Sequence, residues 1–131
     1  MFLIDTNICI YLINGSNDKL SQRIISMNPF EVSVSAISVA ELEYGASKSL
    51  RVEQNRITLH KFLSAFEIVP FDDKDAESFG IIRTHLEKLG TPIGAYDMQI
   101  AAQGLARNLT VVTNNIKEFE RVPSLLVENW I

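Results

Sequence analysis

Met1-Phe2-Leu3-Ile4-Asp5-Thr6-Asn7 decides the fold. Four apolar residues make a short buried strand, and the Asp-Thr-Asn after them supplies the side-chain oxygens that open a helix. Ile8 to Ile13 continue as a mostly apolar helix, and Asn14-Gly15 closes it with the residue pair that most easily turns left-handed. A strand that ends on an acid and passes at once into a helix is the first unit of an alternating chain.

The alternation continues outward. Ser16 to Asn28 reads as a helix with Leu20, Ile24 and Met27 at helical spacing, and Glu31 to Ala36 as a strand with Val32 and Val34 on one side. Ser38 opens a helix through Lys48, with Ser38 and Glu41 at capping-box spacing. Arg51 to Ala65 is another helix, striped by Val52, Leu59, Leu63 and Phe66. A strand lies within Phe66 to Phe71. Asp72 then caps a long helix with Ala76, Phe79, Ile82, Leu86 and Leu89 as its core face, stopped by Gly90. The loop Thr91–Ala95 leads to a helix over Tyr96–Ala106, a strand at Leu109–Val112, a helical turn at Lys117–Arg121 and a last strand at Leu125–Val127 before Trp130. Strands alternating with helices predict an α/β fold: a mainly parallel central sheet of four to five strands flanked by helices, in a single domain over 1–131.

Composition agrees and excludes. An apolar fraction of 47% and a mean hydropathy of +0.11 rule out a mostly disordered chain. Cys9 is the single cysteine, which excludes an internal disulfide framework and a cysteine-based zinc site and suits a reducing cytoplasm. The uncharged stretch Thr6–Asn17 is too short to span a bilayer and lacks the basic start and cleavage site of a signal peptide, so a soluble cytoplasmic protein is expected. A net charge of −4 argues against a simple electrostatic nucleic-acid binder.

The informative residues are the acids. Asp5 ends the first strand, Glu41 sits early in the helix after the second, Asp97 opens the helix after the Gly90–Ala95 loop, and Asn114 and Asn115 follow the strand at Leu109–Val112. In a parallel α/β sheet these strand ends and helix starts share one edge, where ligands bind. Carboxylates gathered at one point repel one another, and a divalent cation relieves that repulsion; all-oxygen ligation suits Mg²⁺ or Mn²⁺. Each residue taken singly also has an ordinary role. Asp5 can cap the first helix, Glu41 complete a capping box with Ser38, Asp97 complement a helix dipole, and Asn114 or Asn115 cap the turn that follows. Their joint placement is what points to chemistry.

Four segments carry a resemblance. Phe2-Leu3-Ile4-Asp5-Thr6-Asn7, Ala40-Glu41-Leu42-Glu43-Tyr44-Gly45, Thr91-Pro92-Ile93-Gly94-Ala95-Tyr96-Asp97 with Ile100-Ala101-Ala102, and Val112-Thr113-Asn114-Asn115 with Glu118-Phe119-Glu120-Arg121-Val122 resemble the successive motifs of PIN-domain ribonucleases. More narrowly they resemble the VapC toxins of VapBC toxin–antitoxin pairs, and the likeness runs to Val127-Glu128-Asn129-Trp130. The resemblance implies a PIN-like fold and a Mg²⁺-dependent endoribonuclease, with Mn²⁺ able to substitute. It assigns Asp5 and Asp97 to the metal, Glu41 to a third acid of the active site and Thr113 to a hydroxyl beside it. Asn115 stands where many PIN domains carry a fourth acid, a departure that weakens a second metal site. The branch most similar in this Asn-Asn pair implies cleavage of initiator tRNA in the anticodon region, a VapB-like antitoxin whose C-terminal segment lies in an apolar groove, a toxin homodimer and a larger toxin–antitoxin assembly.

On this reading Glu41 is the residue to take a proton from the attacking water, while the cation offsets charge on the non-bridging phosphate oxygens. His60 and His85 lie in amphipathic helices away from the acid motifs and are expected on the surface. Neutralising Asp5, Glu41 and Asp97 leaves thirteen acids against twelve bases, so a local basic rim could face RNA. Its candidates are Lys48, Arg51, Arg56, Lys61, Arg83, Lys88 and Arg107. The apolar segments Ile8–Ile13 and Val39–Tyr44 suit either packing on the sheet or a partner surface. A haloacid-dehalogenase-type phosphatase would need a second Asp two residues after Asp5, where Asn7 stands. A phospho-acceptor receiver would need adjacent acids after the first strand. A nuclease for another RNA and a catalytically silent RNA- or protein-binding module of the same fold stay open.

Overall fold

Five short strands form one wholly parallel sheet in the computed structural model, which describes Met1 to Ile131. The strands are β1 (Phe2–Ile4), β2 (Val32–Ser35), β3 (Glu67–Val69), β4 (Thr110–Val112) and β5 (Val127–Glu128), in the spatial order β3-β2-β1-β4-β5. The register aligns Ile4 with both Val34 and Val112, so the three central strands end level. The helices are α1 (Thr6–Asn14), α2 (Asp18–Ser26), α3 (Ala36–Ser47), α4 (Val52–Leu63), α5 (Asp73–Leu89), α6 (Ala95–Arg107) and α7 (Ile116–Phe119), with a 3-10 turn at Pro29–Glu31. No helix is long and apolar enough to cross a membrane.

Alternation of side chains along each strand splits the core into two layers. Leu3 and Val111 face α5 and α6, packing with Ile82, Leu86 and Ile100. Ile4, Val34 and Val112 face the other way, packing with Ile8, Leu20, Leu42 and Leu59 from α1 to α4. Both faces are covered, so β2 is buried along its whole length, Ser33 and Ser35 included, rather than on the valine side alone. Those serines are satisfied: Ser33 donates to the Phe2 carbonyl at 3.1 Å, and Ser35 donates to Gln103 Oε1. Gln103 is fully buried and its amide donates to the Val69 and Pro70 carbonyls at 3.2 and 3.1 Å, which locks α6 to the ends of β2 and β3.

Several local expectations are corrected. Ala76 and Leu89 are exposed; the buried face of α5 is Asp75, Ile82 and Leu86, with Phe79 beside them. Asp75 lies inside because it closes a capping box with Asp72 and is paired with Arg107, so an acid occupies a core-facing position that apolar periodicity assigns elsewhere. Val52 at the start of α4 is exposed, leaving Leu59 as the buried member of that stripe.

Candidate active site

The switch point of this sheet lies between β1 and β4, where the chain leaves one strand to the left and the other to the right. Asp5 stands there, directly after β1, its backbone N–H donating to the Val112 carbonyl at 3.0 Å. Its side chain does two things at once. Oδ1 accepts the Ile8 N–H at 2.9 Å, which caps α1, and Oδ2 accepts the Thr113 hydroxyl at 2.5 Å. The Thr113 hydroxyl in turn accepts the Asn115 N–H at 2.8 Å, so Thr113 is fixed as a donor to Asp5. Asp5 is 3% exposed, and burial, more than any neighbour, pushes its carboxyl above the ordinary value, against the pull of the Thr113 and Ile8 hydrogen bonds.

Glu41 reaches the same place by a different route from the one its sequence spacing suggests. β2 stays paired through Ser35, so Ser35 caps α3 by accepting the Ile37 N–H at 3.0 Å, and Ser38 is buried inside the helix. The Ser38–Glu41 capping box is therefore absent. Glu41 lies one turn further in, and its Oε1 accepts the Thr6 hydroxyl at 2.7 Å, with the Ser38 hydroxyl 2.9 Å from that of Thr6.

Asp97 sits in the first turn of α6, whose cap position is Gly94 and supplies no side chain. Burial comes first among the causes that raise its carboxyl to about 6, followed by the charges of Asp5, Glu118 and Glu41 and by a hydrogen-bonding contact with Glu118. Glu118 is the residue the sequence reading missed. It lies on the one-turn helix α7, three residues past Asn115 and at the same sheet edge; that offset was the available signal. Asn115 occupies the cap position of α7 without a side-chain cap bond, and Asn114 is tied instead to the amide of Asn129 at 3.3 Å.

Asp5, Glu41, Asp97 and Glu118 thus share one electrostatic field, with Thr113 beneath Asp5. No three of the chain's acids, histidines or cysteine stand together at ligand spacing; Asp5 and Glu41 are each held by a hydroxyl, of Thr113 and Thr6. The donor set nevertheless fits a hard divalent cation, being all oxygen and carrying a mutual repulsion that adds to burial in pushing Asp97 towards protonation.

Three of the seven candidates for the basic rim are paired with acids. Arg107 belongs to a structural cluster, with Nε and Nη2 on Asp75 at 3.2 and 3.0 Å, and is removed from the phosphate-contact candidates. Arg56 faces Glu43 at 3.5 Å and Arg83 faces Glu87 at 3.7 Å. His60 is exposed but contacts Glu43 of the Ala40–Gly45 segment at 3.2 Å, closer to an acid motif than its helix position suggests, and His85 is exposed. From Thr6 and Glu41 a groove of about 710 Å³ runs between α1, α3 and α4, past Ile10, Tyr44, Lys48 and Tyr96.

Known proteins place this arrangement in a family. The model of the PIN domain matches residues 2–125. The chain is 45% identical to a ribonuclease VapC2 of Rickettsia felis, covering 99% of this chain and 98% of that protein. It is 40% identical to a tRNA(fMet)-specific endonuclease VapC of Salmonella typhimurium, over 98% of this chain and 97% of that one. Among solved structures, VapBC2 from Rickettsia felis bound to a DNA fragment from its promoter superposes with a TM-score of 0.93 at 44% identity, covering 99% of this chain and 98% of that one. By the family match over residues 2–125 and these full-length likenesses, the chain belongs to the PIN-domain family, among its VapC ribonucleases.

Proposed function

We propose that the protein is a divalent-metal-dependent endoribonuclease, the toxin of a VapBC-type pair, acting in the cytoplasm. The observation that carries this is the convergence of Asp5, Glu41, Asp97 and Glu118 at the switch point of a parallel sheet, in a VapC ribonuclease. The likeness to a tRNA(fMet)-specific endonuclease supports initiator tRNA, cut in the anticodon region, as the substrate. The likeness to VapBC complexes supports a VapB-like antitoxin, and with it a toxin homodimer within a larger assembly. The apolar side of the groove, at Ile10 and Leu42, supports it as the place where the C-terminal segment of that antitoxin would lie.

Asp5 and Asp97 would hold Mg²⁺, with Mn²⁺ as a substitute; such a cation supplies Lewis-acid polarisation of the phosphodiester and offsets its negative charge. Thr113 orients Asp5 by donating to Oδ2, and the Ile8 N–H fixes the other oxygen. Thr6 holds Glu41 Oε1, leaving the second oxygen free to take a proton from the attacking water. Asn115 presents its N–H to Thr113, so it acts through the backbone whatever its side chain contributes.

The test is cleavage of initiator tRNA with Mg²⁺ by the parent, Asp5→Asn and Asp97→Asn. The parent should cut and both variants should lose cleavage while remaining folded. Variants that cut at the parent's rate would remove the proposed site.

A further inference from the structure

The groove leading from Glu41 and Thr6 has a chemistry the acids do not account for. Two tyrosines stand open on it, Tyr44 at 66% and Tyr96 at 58% exposed. Each rides on a helix that also carries a site acid. Tyr44 is one turn beyond Glu41 on α3, and Tyr96 immediately precedes Asp97 on α6. A single exposed tyrosine needs no explanation. Two, one each on the helices of Glu41 and Asp97, put two aromatic faces beside the place where a phosphodiester is cut. The Lys48 ammonium lies over one face of the Tyr44 ring, 4.7 Å from its centroid, so a stacking base would use the opposite face or displace the flexible lysine.

Charge discriminates between the groups this groove can hold. Among its lining residues Glu41 is the one acid and Lys48 the one base, so it is no electrostatic track for a phosphate backbone. Beyond its apolar floor it offers ring faces and the polar edges of Asn7, Asn55 and Thr58. Aromatic faces with hydrogen-bonding edges recognise unpaired nucleobases, which stack with little regard to identity and are read along their edges. A volume of about 710 Å³ accommodates groups of that size.

We infer that Tyr44 and Tyr96 form a stacking platform for unpaired bases flanking the scissile phosphodiester of the RNA substrate. The inference rests on the endoribonuclease reading above and assigns to two named rings the demand for unpaired bases at the cut. Paired bases have their faces covered by neighbours and cannot use the platform.

Two measurements on the full chain test it. One is steady-state cleavage of a hairpin RNA with an unpaired loop; the other is binding of the same hairpin, with 2-aminopurine in the loop, to proteins in an Asp5→Asn background. Tyr44→Ala and Tyr96→Ala should each raise KM and Kd by about five- to a hundredfold, the range expected for loss of one base–aromatic stack, with kcat little changed. Phe at either position should restore both, since it keeps the ring. Both side chains are exposed, so the Ala variants should melt with the parent. The inference is overturned if the Ala variants bind and cut like the parent, if they lose kcat with Kd intact, or if they weaken only a VapB-like peptide. It is also overturned if the parent cuts the loop sequence equally well as a duplex. A parent that cuts no RNA yet binds the hairpin through the two rings would sink the nuclease reading and leave the platform standing.

Discussion

At the scale of single residues, Glu41 and Asp97 are the most informative. Because Ser35 caps α3, Glu41 has no capping duty, and Gln at that position can still accept the Thr6 hydroxyl. Glu41→Gln should therefore melt with the parent yet lose activity by roughly 10²–10⁴-fold, because an amide cannot take the proton. Cleavage at the parent's rate would return Glu41 to a purely structural role. Asp97 makes a pH prediction. Its carboxyl is raised to about 6 in the folded chain, from an ordinary value of 3.8, by burial first and by the neighbouring acids second. The folded state then binds more protons than the unfolded state between those values, so this stabilisation is present at low pH and is lost as pH rises through about 6. Without divalent ion, the melting temperature should fall as pH rises across that window, Asp97→Asn should flatten the slope, and adding Mn²⁺ near neutral pH should recover stability in the parent alone. An equal slope in parent and variant would show that Asp97 is not the titrating group.

At the scale of elements, the joint between α5 and α6 shows how a charged residue can mislead. Arg107 ends α6 and reaches the N-terminus of α5, donating to both oxygens of Asp75 and to the Pro70 carbonyl at 3.0 Å. The Asp75 side chain is buried and that of Arg107 is about one third exposed, so part of the attraction is screened. Arg107→Met should cost roughly 2–3 kcal/mol, since it leaves a buried carboxylate with the Asp72 N–H as its remaining polar partner. Urea unfolding measures the loss. RNA affinity and its salt dependence should stay unchanged; a shallower salt slope would put Arg107 back among the phosphate contacts.

Over the whole molecule, the C-terminal tail holds the sheet and the α1–α4 layer together. Trp130 is 2% exposed, edge-on to Phe2 of β1 at 4.8 Å between ring centroids, with the Arg23 guanidinium of α2 at 4.2 Å from its ring. Its indole N–H donates to Glu128 at 3.0 Å, and the Glu128 carbonyl accepts the Thr113 N–H at 3.0 Å, so the tail also supports the strand end beneath Asp5. Trp130→Ala should cost about 3–5 kcal/mol, by loss of a large buried side chain and the cavity left behind. Thermal unfolding checks it, and a melting temperature equal to the parent's would show that the tail packs without holding.

The sequence alone determined the order of strands and helices, the parallel sheet, and the expectation that Asp5, Glu41 and Asp97 meet at one edge. These are local or topological facts: apolar periodicity sets each element, and a parallel sheet puts every strand end on the same side. Tertiary structure decided which serine caps α3, because the pairing of Ser35 with Val69 keeps β2 extended past the point where spacing alone would start the helix. It decided that Asp75 lies inside and Arg107 beside it, since a core-facing acid is tolerated where a distant cation and a cap bond satisfy it. It also brought Glu118 to Asp97 across an interval of sequence that carries no periodic signal. A carboxylate's protonation follows from burial and from charges brought together in space, and neither is a property of neighbours along the chain.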